Sequence, residues 1–246
     1  MRRFVIGDIH GAYKALIECL KGVDFDYDVD KLVFLGDVCD GWSEFIECIE
    51  ELSKIKNLVY IRGNHDQWTL DYLNGTMIFR MSSSGTSWLA HGGQVTKDRL
   101  DQEFYKRDSI KSFIESGIDY HIDSTNNVFV HAGFNQNEPI ESQSASIFMW
   151  DRNMVLDAIN RSDVSKYSRS FYNSKNTYNK IYIGHTPTDY ITEGDTKPRE
   201  LAKNIVMMDT GAAFTGLLTI MNIDDGSIFQ STAPYLLYTN EQGRNN

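Results

Sequence analysis

Residues 4–11 read FVIGDIHG: the apolar run Phe4–Ile6 ends at Gly7, and Asp8 and His10 follow one residue apart before Gly11. In an extended segment side chains alternate faces, so residues two apart point to the same side. A carboxylate and an imidazole aimed together can share a cation. Glycine on either side lets the backbone turn sharply or take positive φ where a Cβ would clash. By itself an Asp-x-His is more often a turn carrying two solvated polar residues, so the rest of the chain has to decide.

Repetition decides it. Lys31–Asp37 reads KLVFLGD, Asn57–Asp66 NLVYIRGNHD, Asn127–Gly133 NVFVHAG and Lys180–Pro187 KIYIGHTP. Each is a short β-branched and aromatic run that stops at a small residue with Asp, Asn or His beside it. Continuous apolar runs of this length suit strands buried on both faces by helices. Their polar ends then gather along one edge, where open α/β sheets place their sites. Helical spacing over 12–21 (Leu16, Ile17, Leu20) and 44–54 (Phe45, Ile46, Ile49, Leu52) gives β-α-β-α-β through about residue 62. The fold class is α/β.

Residues 67–126 are richer in polar helix and loop signals, including SSSGTSW and HGGQVTKD, and read as an insertion over the site within a single domain spanning 1–240. The late block IVMMDTGAAFTGLLTIMNI reads as two strands around a glycine turn, a candidate hairpin. The polar end, 241–246, is expected to fray.

Hydrophobic residues make up 41% and charged residues 24%, values ordinary for a globular fold, and no apolar run approaches membrane-spanning length. The opening apolar segment is too short for a secretory signal. Cys19, Cys39 and Cys48 form no even framework and no C-x-x-C pair, which fits reduced thiols packed as small hydrophobes and a cytoplasmic location. The net charge of −10, with 24 scattered Lys and Arg, argues against a nucleic-acid partner, which needs a basic face. Bound divalent ions would tolerate that acidity, because they reverse the local field.

At one edge, Asp8, His10, Asp37, Asn64, His131 and His185 supply carboxylate, imidazole and amide ligands without a thiolate. Such a set suits manganese, iron or zinc and excludes a closed cysteine-type structural zinc. Six ligands exceed what one such ion takes from protein while leaving room for water. Two ions about 3.5–4 Å apart would use them, holding a bridging hydroxide and clamping both oxygens of an in-line displacement at phosphorus.

The blocks GDIHG, GDVCD, GNHD, HAG and GHTP, in that order from residue 7 to 187, resemble the signatures of calcineurin-like metallophosphoesterases of the phosphoprotein phosphatase type. That group includes bacterial and phage serine/threonine phosphatases and symmetrical diadenosine tetraphosphatases. The resemblance implies a sandwich of two central mixed β-sheets flanked by helices, and two divalent metal ions. By matching position, Asp8 and His10 would hold the first ion, Asp37 would bridge both, and Asn64, His131 and His185 would complete the second. His65 matches the histidine that protonates the leaving oxygen, and Asp40 the carboxylate that orients it. The implied substrates are phosphorylated proteins or small phosphorylated and nucleotide molecules.

One departure stands out. Where the family block runs Gly-Asp-x-x-Asp-Arg-Gly, this chain has GDVCDGW, with Gly41 in place of the phosphate-gripping Arg. Arg152 in FMWDR resembles the second phosphate-binding Arg of bacterial members. Arg62 reads more readily as a structural ion pair at a strand end than as a substrate contact. His91, in HGGQ, follows no strand and is placed near the mouth as a candidate substrate contact, whereas VFV before His131 marks the latter as the ligand. His121 reads as an ordinary surface or strand histidine. Asp209 in DTG has no second such triplet to form a protease dyad, and reads as a structural residue near the site. Three readings compete: a phosphomonoesterase, a hydrolase of nucleotide polyphosphates on the same metals, and a metal-binding scaffold without turnover. His65 and Asp37, which a scaffold would lack, are both present.

Overall fold

A computed structural model describes residues 1–77, 81–82, 85–86, 88–163 and 178–245. The elements, in chain order, are β1 (Arg3–Ile6), α1 (Tyr13–Gly22), β2 (Lys31–Phe34), α2 (Phe45–Leu52), β3 (Asn57–Tyr60), α3 (Asn64–Leu73), β4 (Met81–Ser82), β5 (Gly85–Thr86), α4 (Gln94–Gln102) and α5 (Arg107–Glu115). They continue with β6 (Tyr120–Ile122), β7 (Val128–Val130), α6 (Ala145–Trp150), α7 (Asn153–Asp163), β8 (Ile181–Ile183), β9 (Arg199–Leu201), β10 (Ile205–Met207), β11 (Thr219–Asn222), β12 (Ile228–Gln230) and α8 (Pro234–Leu237).

All five apolar runs are strands, and they divide between two mixed sheets. The first has the order β12-β11-β1-β2-β3, with β1, β2 and β3 parallel and β11 and β12 antiparallel. The second has the order β6-β7-β8-β10-β9, with β7, β8 and β10 parallel. The two-residue alternation of strand side chains explains the layering. Phe4, Ile6, Leu32 and Phe34 face outward onto helices α1 to α5, whereas Val5, Val33 and Leu35 face inward onto Phe129, Tyr182 and Val206 of the second sheet. Val128, Val130, Ile181, Ile183 and Ile205 cover that sheet's other side together with Met154, Val155 and Ala158 of α7. Helices and sheets thus stack in four layers. Each fully buried Val, Ile, Leu or Phe contributes roughly 1.5–3 kcal/mol of transfer free energy, so strands buried on both faces hold the site's floor firmly.

Three segments differ from expectation. Leu100, Ile110 and Ile114, on α4 and α5, belong to the same core as β1 and β2, and β6 completes the second sheet, so residues 94–122 are built into the fold. The late apolar block is not a hairpin: β10 lies in the second sheet and β11 in the first, because residues 208–218 cross between them. The tail is held, with Arg244 N–H donating to Ala213 O and Glu241 accepting from the Ser43 N–H and Oγ–H. Residues 83, 84 and 87 of the SSSGTSW run, residues 164–177 and Asn246 lie outside the described residues.

Candidate active site

The parallel strands of both sheets end at one edge, and β1, β2 and β8 leave it through sharp backbone bends. Gly7 passes so near β10 that a Cβ there would stand 2.2 Å from Met208 O. Four polar residues in these bends take the left-handed conformation: His10 (φ 49°), Asp37 (φ 59°), Asp40 (φ 66°) and His185 (φ 63°). Such backbone is strained for a residue with a Cβ and persists where hydrogen bonds fix it. Here Asp37 O accepts from the N–H groups of Ile9 and His10, and the Asp8 carboxylate accepts from His185 N–H.

The six predicted ligands meet. Asp37 Oδ2 lies 3.7 Å from His10 Nε2 and 3.3 Å from His131 Nε2, and Asp8 Oδ2 lies 4.0 Å from His10 Nε2. Asn64 Oδ1 is 3.1 Å from His131 Nε2 and 2.9 Å from His185 Nδ1. Two overlapping trios, Asp8–His10–Asp37 and Asp37–His131–His185, each place their ligand atoms within 4.8 Å of one another, and Asp37 belongs to both. All six residues are buried. His10 Nδ1 faces the Cys39 and Asp40 carbonyls, and His131 Nδ1 faces the Leu35 carbonyl. Each Nδ1–H therefore donates to backbone, turning Nε2 to the pocket, an orientation that metal-ligating histidines use.

Electrostatics make the same demand. Burial, with Asp209 and Asp37 nearby, pushes Asp8 well above the usual carboxylate range. Burial also opposes charge on Asp37, yet His131, His65 and His10 hold it well below that range. On His131 burial is outweighed by Asp37 and Asp8, which raise the imidazole to about 10. His10 and His185 are driven well below their ordinary value, first by burial. Neutral imidazoles around crowded, buried carboxylates fit divalent cations, which would supply the positive charge that His131 otherwise provides.

Beside this cluster, His65 Nδ1 lies 2.7 Å from Asp40 Oδ2, which also accepts from Trp88 Nε1–H at 2.9 Å. Burial raises Asp40 to about 8 and lowers His65 to about 3, so neither member favours carrying charge alone. Asp40 Oδ1 is buried without a hydrogen-bond partner among the described residues.

Asp66 was not singled out from sequence, although it ends the GNHD block. Its buried carboxylate accepts from Asp37 N–H (2.8 Å), Val38 N–H (2.8 Å), Cys39 N–H (3.3 Å) and Gly63 N–H (3.0 Å), tying the loop after β2 to the start of α3. The readable signal was an acid three residues after a helix N-cap, the position that reaches back to the cap N–H.

The remaining candidates scatter around the rim. Arg152 is exposed and close enough to His185 to bias it electrostatically. Arg62 pairs with Asp119 at 3.5 Å. His91 lies at the mouth, its ring 6.1 Å from that of Trp68. Trp68 in turn meets Trp150 at 5.0 Å, and Trp150 meets His185 at 6.1 Å, forming an aromatic wall with no sequence signal. His121 stacks on Phe129 and faces Lys31, at the opposite end of the strands. Asp209 is buried below Asp8, accepts from Gly211 N–H, and is pushed up to about 6, first by burial. The three cysteines are buried and free.

The calcineurin-like phosphoesterase family model matches residues 1–213. The chain is 27% identical over 228 residues to serine/threonine-protein phosphatase 1 of Salmonella typhimurium, covering 89% of this chain and 91% of the relative. It is 23% identical over 237 residues to the asymmetrical bis(5'-nucleosyl)-tetraphosphatase PrpE of Bacillus cereus, covering 89% of each. Among solved structures, one described as a diadenosine tetraphosphatase superposes with a TM-score of 0.64 at 16% identity, covering 93% of this chain and 92% of the other. No helix among the described residues is long and apolar enough to cross a membrane.

Proposed function

The chain belongs to the calcineurin-like phosphoesterase family and is a phosphatase-type hydrolase, and from that premise we propose that it cleaves phosphate monoesters, with phosphoserine and phosphothreonine in proteins as the leading substrates. The carrying observation is that Asp37 belongs to two buried ligand trios at once. Asp8, His10 and Asp37 would hold one divalent ion, and Asp37, Asn64, His131 and His185 a second. Manganese is the leading species, with iron or zinc as alternatives. When bound, such ions polarise the phosphoryl oxygens and make water acidic enough to attack near neutral pH.

The chain's own groups do the rest. His65, its Nδ1 held by Asp40, presents Nε2 to the leaving oxygen and donates its proton there. The His65 Nδ1–Asp40 Oδ2 hydrogen bond fixes the ring's tautomer and orientation, so that the Nε2 proton is the one aimed at the leaving oxygen. Trp88 fixes the carboxylate so that the ring cannot swing away. Arg152, beside His185, supplies a cation for substrate oxygens. His91 sits with the aromatic wall at the entrance, and Arg62, paired to Asp119, supports the end of β3. Buried free thiols accord with the cytoplasm as the working compartment.

A second reading, hydrolysis of a nucleotide polyphosphate, rests on the Trp68–Trp150 pair, which offers a planar base a stacking surface. The test is hydrolysis of p-nitrophenyl phosphate, a phosphoserine peptide and diadenosine tetraphosphate by chelated protein and after manganese is returned. Manganese-dependent turnover with the phosphopeptide preferred supports the leading reading. Preference for the dinucleotide supports the second, and full turnover in metal-free protein overturns both.

A further inference from the structure

The missing Arg at position 41 leaves a space, and the structure fills it from the other end of the chain. Gly41 has φ +116°, and a Cβ built there would stand 3.1 Å from His10 O and 3.5 Å from Arg244 Cγ. Gly92, with φ +96°, faces the same stem: its Cβ would stand 3.0 Å from Arg244 Cγ and 2.8 Å from Gly41 N. The aliphatic part of Arg244 thus threads between two glycines whose missing side chains make the passage. The guanidinium emerges on the ligand cluster. Nη1 reaches 3.3 Å from His10 Nε2, Cζ lies 5.1 Å over the Phe214 ring, and Nε is buried with no hydrogen-bond partner among the described residues.

The segment that carries it is anchored at several points. Arg244 N–H donates to Ala213 O at 2.8 Å, and both Oε atoms of Glu241 accept from Ser43. Gly243 packs so tightly that a Cβ would stand 2.6 Å from Trp42 and 2.6 Å from Ala213 O. Trp42 is itself stacked on Tyr238 and bonded through Nε1–H to Ala212 O. A loosely attached tail would not bring a cation to a buried pocket with such support, nor leave its Nε–H buried there without a partner among the described residues.

We propose that Arg244 is the phosphate-binding arginine of this site, taking the substrate's phosphoryl oxygens in place of the side chain that Gly41 lacks. This rests on the phosphoesterase reading above. A planar guanidinium offers two parallel donors to one phosphoryl group, through Nη1 and Nη2 or through Nε and Nη2, and here Nη1 already reaches the ligand cluster at His10. The specificity of the site then depends on how the C-terminal segment is seated, through Glu241, Gly243 and Trp42.

The test uses the full-length, manganese-loaded protein with inorganic phosphate as the probe. Phosphate affinity is measured by calorimetry, bound metal by elemental analysis, and kcat and KM on p-nitrophenyl phosphate for wild type, Arg244→Met and Arg244→Lys. Met keeps the stem between the glycines and removes the charge; Lys keeps the charge and removes the fork. Charge-assisted hydrogen bonds of this kind are worth about one to two decades in affinity. Arg244→Met should therefore bind phosphate about 10- to 100-fold more weakly and lose kcat/KM in proportion, with its metal content and melting temperature kept. Arg244→Lys should recover part of the loss. Wild-type phosphate affinity in Arg244→Met, or loss of metal in step with loss of phosphate binding, overturns the assignment. Failure of wild type to hydrolyse any ester would sink the enzymatic reading instead, and the phosphate comparison would still decide Arg244.

Discussion

Replacing Gly63 with alanine puts one methyl group into the wall between the loop after β2 and the start of α3. The backbone at Gly63 (φ −92°, ψ 174°) suits any residue, so the effect is purely one of space. The new Cβ would stand 2.0 Å from Asp37 Oδ1 and 2.6 Å from Asp37 N. Real Cβ atoms essentially never come within 3.0 Å, so Oδ1 must retreat by about 1 Å (3.0 − 2.0) and the backbone N by about 0.4 Å (3.0 − 2.6). Asp66 holds that N–H at 2.8 Å, so the displacement cannot be absorbed locally. Ligand distances in metal sites tolerate only about 0.2 Å. A shift several times larger, at the residue proposed to serve both ions, should weaken metal binding by about 10- to 100-fold, equivalent to about 1.4–2.8 kcal/mol. Overpacking adds a stability loss of about 1–3 kcal/mol.

The assay is competition for manganese against a chelator of known affinity, read beside urea unfolding. Gly75→Ala is the control: its Cβ meets nothing within 4 Å, while φ +68° costs about 1–2 kcal/mol of backbone strain. Both variants should lose stability and only Gly63→Ala should lose metal. Unchanged manganese affinity in Gly63→Ala would refute the reasoning, because Asp37 would then be free to move without consequence.

Asp37→Asn should lose more bound metal than Asn64→Ala, since the charge of Asp37 is shared between two trios; equal metal content in the purified variants counts against that sharing. His65→Ala should keep both ions and lose about 10²- to 10⁴-fold in kcat on an alkyl phosphate, with a visibly smaller loss on p-nitrophenyl phosphate. Asp40→Asn should follow in the same direction more weakly, and a leaving-group slope unchanged from wild type would exclude the proton-donor role. Away from the site, burial opposes charge on Asp30, but Arg2 and the N–H groups of Asp26 and Arg2 hold its carboxyl below the usual 3.8. A depressed value stabilises the fold above the unfolded pKa and is lost as pH falls through the folded one. The melting temperature of Asp30→Asn should accordingly lie below wild type at pH 7, and the gap should close as pH drops below about 3.8; a gap constant with pH would show that the carboxylate's charge is not what matters.

The strands and the candidate ligands could be read from the sequence alone, because both are local statements. An apolar run ending in Gly-Asp-x-His or Gly-Asn-His-Asp fixes an extended segment and the polar groups at its end within a few residues. Asp8, His10, Asp37, Asn64, His131 and His185 could therefore be named before any was placed, and the structure brings their polar atoms together. The late apolar block marked the limit of that locality: its two strands were legible, but which sheet each joined depends on partners far along the chain. The same holds for Asp66, whose four N–H donors come from a loop 27 to 29 residues earlier and from the turn beside it. It holds most strongly for Arg244. Nothing in the polar run EQGRNN distinguishes a solvated end from a cation threaded between Gly41 and Gly92. Secondary structure and ligand type follow from short-range sterics and side-chain chemistry. The seating of a distant segment follows from packing against Trp42 and Ala213, a free energy that exists only once the rest of the fold has formed.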